Sequence, residues 1–184
     1  FKRLTRWGDL DTVWAGIAAA EGAGLTPLKI NAVVVRGYND MDVADLARLT
    51  LAHAWQVRFI EMMPFGGDID LQTSQLVSAA EVKAQVEQEL GVLEIDNEGE
   101  LDGEARIFRL PGARGDVGFI ASVTQPFCGA CTRARLTAEG QLYTCLFGIR
   151  GTDLRAPLRR GDDDAAIRAL LAHTWDARTD RYSE

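Results

Sequence analysis

Pro27-Leu-Lys-Ile-Asn-Ala-Val-Val-Val35 and, one helical segment later, Val57-Arg-Phe-Ile-Glu-Met-Met63 are the stretches that decide the architecture. Each is a run of β-branched and apolar residues stopped by chain breakers, Pro27 and Gly37 for the first, Pro64 and Gly66-Gly67 for the second. Between them, Asn39 and Asp40 are candidate caps for a helix with Val43, Leu46, Ala47, Thr50, Leu51 and Ala54 along one face. Upstream, Asp9 is a candidate N-cap for a helix in which Leu10, Val13, Trp14, Ile17 and Glu21 recur at helical spacing, ended by Gly22 and Gly24. Helix, strand, helix, strand with short connections is the rhythm of a parallel α/β sheet or barrel. Two strands cannot close a barrel, so further strands are expected ahead of this chain. Along the first strand Lys29, Asn31 and Val33 share one face, while Leu28, Ile30 and Val34 share the other. A barrel strand turns one face to its helices and one to the lumen, so Lys29, one of three lysines, is expected to point inward.

Beyond residue 67 the pattern changes. Ser78 and Glu81 form a capping box that opens a helix running to about Leu90. Short alternating segments near 92–95, 106–110 and 117–123, separated by glycine-bearing turns, read as a small antiparallel sheet. Arg135–Thr144 reads as a hairpin turning at Ala138-Glu-Gly-Gln141, where Gly140 supplies a positive φ. A last helix is expected from Asp162 to His173 with Ile167, Leu170 and Leu171 facing inward. The expected division is a barrel part over 1–67 and a small α+β domain over 68–184.

The composition, 47% hydrophobic and 26% charged, is that of a soluble globular chain, and no apolar run approaches the ~18 residues of a membrane span. A net charge of −7 argues against general nucleic-acid or membrane-surface binding, which needs a basic face. The charges are unevenly placed. Residues 94–104 carry Glu94, Asp96, Glu98, Glu100, Asp102 and Glu104 with no basic residue, and read as a solvated turn between strands. Residues 127–160 carry Arg133, Arg135, Arg150, Arg155, Arg159 and Arg160 against Glu139 and Asp153 alone.

That basic stretch overlaps all three cysteines, spaced Cys128-x2-Cys131-x13-Cys145. Two intervening residues let Cys128 and Cys131 face one centre from a tight turn, and a hairpin of thirteen returns Cys145 to the same place. Three thiolates suit zinc or an iron–sulfur cluster. No histidine stands at zinc-finger spacing, and a three-thiolate cluster with one open iron is reasonable where that iron is meant for substrate. Zinc and three buried, unliganded cysteines stay open beside it. The cysteine pattern suits a reducing cytosol better than a disulfide framework. Arg133 and Arg135 follow at alternate positions, so in an extended segment both side chains project to one side, as forks suited to phosphate or carboxylate.

Phe127-Cys-Gly-Ala-Cys-Thr-Arg-Ala-Arg-Leu-Thr-Ala-Glu-Gly-Gln-Leu-Tyr-Thr-Cys-Leu-Phe147 resembles the C-terminal cluster motif of the GTP 3′,8-cyclase family, radical S-adenosylmethionine (SAM) enzymes of molybdenum-cofactor biosynthesis. The likeness extends to Lys29–Asp40, Arg58–Pro64 and Asp180–Glu184. The resemblance implies the C-terminal part of a partial (βα)6 barrel followed by an auxiliary-cluster domain, with Cys128, Cys131 and Cys145 holding a [4Fe-4S] cluster. It implies GTP contacts at Lys29, Arg133, Ala134 and Arg135, and a SAM contact at Met63. It also implies a cytoplasmic homodimer whose product passes to a cyclic pyranopterin monophosphate synthase. Two departures qualify it: the family's N-terminal Cys-x3-Cys-x2-Cys, which binds the SAM-cleaving cluster, and its glycine-rich tail are both absent here. The chain by itself is therefore expected to be an inactive fragment with no catalytic residue of its own. The alternatives are another radical-SAM enzyme with a three-cysteine auxiliary cluster, and a non-catalytic zinc- or cluster-binding module.

Overall fold

A computed structural model describes residues 1–63, 74–95 and 101–179. The chain divides into two compact units, Phe1–Gln125 and Pro126–Glu184.

The first unit is built on one mixed sheet. After a single turn α1 (Lys2–Thr5), helix α2 (Leu10–Gly22) starts where the Asp9 carboxylate accepts the Thr12 N–H at 3.1 Å. Strand β1 (Lys29–Val34), helix α3 (Val43–Ala52) and strand β2 (Gln56–Glu61) follow, with β1 and β2 parallel and Lys29 opposite Gln56. Asn39 and Asp40 do not cap α3. The Asn39 side chain accepts the Val35 N–H and that of Asp40 the Gly37 N–H, so both close the turn leaving β1, and Asp42 occupies the N-cap position. Helix α4 (Ala79–Leu90) opens on the Ser78–Glu81 capping box as its sequence dictates.

The strands beyond α4 depart from expectation. β3 (Glu94–Ile95), β4 (Leu101–Asp102), β5 (Ala105–Arg109) and β6 (Asp116–Ile120) do not form a separate antiparallel sheet. β6 lies parallel to β2, and β5 pairs antiparallel with β6, so the sheet runs β1-β2-β6-β5-β3 with β4 on β5. The reason is burial: Val117 and Phe119 extend the apolar surface already begun by Val57 and Phe59, and no second core is needed. The expected boundary at 67/68 falls outside the described residues, but residues 74–125 belong with the first unit and the division lies at Gln125/Pro126.

The two sheet faces differ. Ile30, Ala32, Val34, Val57, Phe59, Val117 and Phe119 pack with Val43, Ala47, Val82 and Val86 of α3 and α4 into the core. The parity of the same strands puts Lys29, Asn31, Gln56, Arg58 and Gly118 on the opposite face, as alternation required for Lys29.

The second unit is small. A 3-10 turn (Cys128–Ala130) precedes a sheet of β7 (Arg135–Leu136), β8 (Gln141–Tyr143) and β9 (Thr152–Asp153), then helices α5 (Arg155–Arg160) and α6 (Asp164–Asp176). The hairpin turns as expected, with Gly140 at φ 81°. The last helix is capped by Asp163 and runs to Asp176; Ile167 and Leu170 are half-buried, whereas Leu171 is exposed. Among its described residues this unit buries only Leu154 and Pro157.

Candidate functional site

The second unit places its thiols in the turns at one end of its hairpin because of how the hairpin is registered. Arg135 pairs with Tyr143 and Leu136 with Leu142, and Gly140 donates its N–H to Thr137 to close the other end. Cys131, four residues before Arg135, and Cys145, two after Tyr143, therefore both leave the open end of the ladder. Cys128 joins them through the 3-10 turn, where the Cys131 N–H reaches the Cys128 carbonyl at 3.2 Å. Cys145 begins a second turn, its carbonyl accepting the Gly148 N–H at 3.1 Å. From the C-terminal end of α6, Arg178 donates to the Cys131 carbonyl at 2.8 Å and fixes the turn from the other side.

All three cysteines are free thiols of intermediate burial. Among the described residues no three His, Cys, Asp or Glu side chains converge closely enough to hold a metal ion. The chemistry of the donor set nevertheless fits a metal or cluster. A unit of this size that buries so little among its described residues belongs to the class that a staple such as a metal stabilises, and it presents three thiols outside any disulfide on two turns at one hairpin end. The local charge also suits thiolates. Burial pushes the Cys131 thiol up, but the backbone N–H and guanidinium of Arg133, with the charge of Arg178, outweigh it and leave the thiol below its ordinary range.

Arg133 and Arg135 are not placed alike. Regular pairing begins only at Arg135, so the strand alternation that put both side chains on one side does not extend to Arg133. Arg133 turns back toward the cysteines: its guanidinium carbon lies 5.3 Å from the Phe127 ring centroid, and it bonds to the Cys131 thiol. Ala134, between them, is exposed.

The remaining expected residues sit in the first unit. Lys29 opens β1 on the face away from the helices, where its ammonium meets the Asp102 carboxylate at 3.0 Å. Met63 follows the C-terminal end of β2 and is half-buried. Three groups were not anticipated. Arg58 spans the same face as Lys29 and donates to Gln56 at 2.5 Å and to Asp102 at 2.6 Å, while its stem crosses Gly118. Arg58 was legible as a charge inside an otherwise buried strand; Asp102 was not, lying in what read as a solvated acidic turn. Glu61, the last residue of β2, is 2% exposed and accepts the N–H groups of Ala79, Val123 and Thr124, each at 2.8 Å.

The chain thus combines an α/β sheet carrying Lys29 and Arg58 on the face away from its helices with a small unit carrying three free thiols and several arginines. The family profile described as Molybdenum Cofactor Synthesis C matches residues 55–184, and the chain belongs to that family. It is 44% identical over 179 residues to a GTP 3′,8-cyclase of Heliobacterium modesticaldum, covering 97% of this chain and 54% of that protein. It is 45% identical over 181 residues to the GTP 3′,8-cyclase of Acidothermus cellulolyticus, covering 95% of this chain and 49% of that one. The protein of the same name from Pelotomaculum thermopropionicum is 41% identical over 182 residues, 99% of this chain and 56% of the relative. The chain thus spans about half the length of the curated relatives it matches. No helix among the described residues is long and apolar enough to cross a membrane.

Proposed function

We propose that this chain corresponds to the C-terminal part of a GTP 3′,8-cyclase, which converts GTP to 3′,8-cyclo-7,8-dihydroguanosine triphosphate with SAM as co-substrate. The observation that carries the reading is the set of three free thiols at the open end of the β7–β8 hairpin, in a unit that buries little among its described residues, beside Arg133 and Arg135. Cys128, Cys131 and Cys145 are the residues that would hold a [4Fe-4S] cluster. When bound, such a cluster supplies one iron with an open position for the purine.

The chain's own residues bind and orient. In the first unit the ammonium of Lys29 is a phosphate-binding group, and in the second the guanidinium of Arg135 and the backbone at Ala134 are nucleotide-binding groups, each read separately from the family likeness. Arg133 has a double task, bonding to the Cys131 thiol while adding positive charge beside the nucleotide. Met63 contacts SAM with its thioether at the end of β2. Held at both base and phosphates, the nucleotide keeps C3′ within reach of C8, the two atoms that become bonded; positioning of this kind is a large share of the catalysis. Strands β1, β2 and β6, parallel and backed on one face by α3 and α4, would be the last strands of a partial (βα)6 barrel. By the same family likeness the enzyme acts in the cytoplasm as a homodimer and hands its product to a cyclic pyranopterin monophosphate synthase.

Iron analysis and GTP calorimetry on the same samples of the full-length enzyme test this. Replacing all three cysteines with serine is expected to lower iron by about four per chain. Arg135→Ala should leave iron near wild type and weaken GTP binding about ten- to a hundredfold, the worth of one charge-assisted hydrogen bond. Arg133→Ala should lower both, and Arg133→Lys should restore only part, keeping the charge without the fork. One zinc per chain with no loss of iron in the cysteine variant would overturn the reading.

A further inference from the structure

The carboxylate of Asp102 stands between two cations on the face of the sheet turned away from the helices. One oxygen, Oδ2, accepts both Lys29 Nζ at 3.0 Å and Arg58 Nη2 at 2.6 Å. The two cations are not equivalent. The Arg58 side chain is 10% exposed, its Nε is held by Gln56, and its stem packs closely over Gly118, where an added Cβ would come within 3.0 Å of Arg58 Cγ and 3.2 Å of Ile107 Cδ1. Lys29 is 40% exposed and Asp102 41%. Arg58 is therefore a fixed post, Asp102 is anchored to it, and Lys29 is the ammonium that solvent and solutes can reach. Hydrogen bonding from Lys29, with the charges of Arg58 and Lys29, keeps the Asp102 carboxyl below its ordinary range against the cost of burial, so the group is a standing anion.

A phosphate brought to Lys29 while Asp102 stays in place would meet a like charge one ammonium away. At such distances that repulsion is comparable in size with the attraction to the ammonium and opposite in sign. Because the Asp102 charge offsets one of the two cations, the phosphate gains most from Lys29 when the Lys29–Asp102 contact opens. We propose that Asp102 is an intramolecular counter-anion that competes with the phosphate oxygens of the ligand for Lys29. It is anchored by Arg58 so that it releases the lysine without leaving the sheet face. The proposal rests on the reading of Lys29 as a nucleotide-binding residue. It makes Asp102 a specificity-determining group that lowers the return on any anion until the pair is broken. It also gives a function to the charge on β4, which otherwise is one more acid in an acidic stretch.

The test is calorimetric titration of the full-length enzyme with GTP and, in parallel, with guanosine, for the parent, Asp102→Asn, Lys29→Ala and the double variant. Asparagine keeps an oxygen for Arg58 and removes the charge; Asp102→Ser and a thermal-unfolding check on each variant guard against a folding artefact. A partly exposed ion pair sets the scale, so Asp102→Asn should tighten GTP about two- to fivefold, more at low salt, and leave guanosine unchanged. In the Lys29→Ala background the same substitution should do nothing. If Lys29→Ala weakens GTP but Asp102→Asn and Asp102→Ser leave it unchanged or weaken it, the competition does not exist and Asp102 merely supports the face. If Lys29→Ala leaves GTP affinity unchanged, the assignment of Lys29 to the nucleotide fails first, and the proposal falls with it.

Discussion

Glu61→Gln is the substitution whose outcome the first unit specifies most closely. The carboxylate is 2% exposed at the end of β2. Its Oε1 accepts the Ala79 N–H at 2.8 Å and the Thr124 hydroxyl, and its Oε2 accepts the Val123 and Thr124 N–H groups, each at 2.8 Å. One side chain thus ties the first residue of α4 and the segment after β6 to the central strand, and its charge complements the positive end of the helix. Glutamine has the same size but offers one acceptor oxygen. With that oxygen toward Val123 and Thr124, its NH2 faces the Ala79 N–H, donor against donor. The Thr124 hydroxyl can rotate and accept, so one buried N–H is left unpaired and the other bonds lose their charge assistance. An orphaned buried donor costs about 1–3 kcal/mol and the lost charge assistance adds roughly 1 more, so the expected loss is about 2–4 kcal/mol. For a chain of this length that is a fall in midpoint of roughly 5–15 °C. Urea denaturation at neutral pH, followed by far-ultraviolet circular dichroism, should show a lower midpoint with an unchanged slope. Glu61→Asp keeps the charge but retracts it by one methylene, and should also lose stability because it cannot span both sides. A loss below about 0.5 kcal/mol for glutamine would mean the carboxylate is not holding these segments, since a lost buried network cannot be that cheap.

Two further perturbations follow from the fold. The Ser78 N–H and hydroxyl, with the Arg36 guanidinium, hold the Glu81 carboxyl at about 2 against an ordinary 4.5. The folded-state value is depressed, so the contribution is complete above roughly pH 4.5 and disappears as pH falls toward 2. Glu81→Gln should therefore cost about 1 kcal/mol at pH 7, a figure kept low by its solvent exposure, and almost nothing near pH 2; an equal loss at both would refute the titration. Gly115→Ala should strongly destabilise the first unit, because its Cβ would stand 2.0 Å from the Trp55 carbonyl oxygen and 2.8 Å from the Trp55 nitrogen. Those are backbone atoms that cannot give, and a loss above about 4 kcal/mol is expected, read from the same urea transition.

What the sequence determined by itself is what short range determines. Ser78 and Glu81 lie within one helical turn, Asp9 caps its own helix, and Gly140 turns its own hairpin, so each signal is complete within a few residues. The face of Lys29 was legible for the same reason, since alternation along an extended strand needs no knowledge of the partner. The cysteine spacing likewise announced a turn and a returning hairpin before either was seen. Tertiary structure decided everything that depends on a partner far along the chain. β6 joins β2 from 60 residues away, Gln56 pairing with Asp116, because the apolar face of Val57 and Phe59 needs a neighbour more than Val117 and Phe119 need a sheet of their own. Asp102 finds Lys29 across 73 residues and Arg58 across 44. Arg133, one residue too early for the ladder, is aimed by Phe127 and Cys131 and not by strand parity. Local propensity fixes which segments are strands and helices; which of their charged side chains meet is set by the register of the sheet, and that register is a property of the whole buried face.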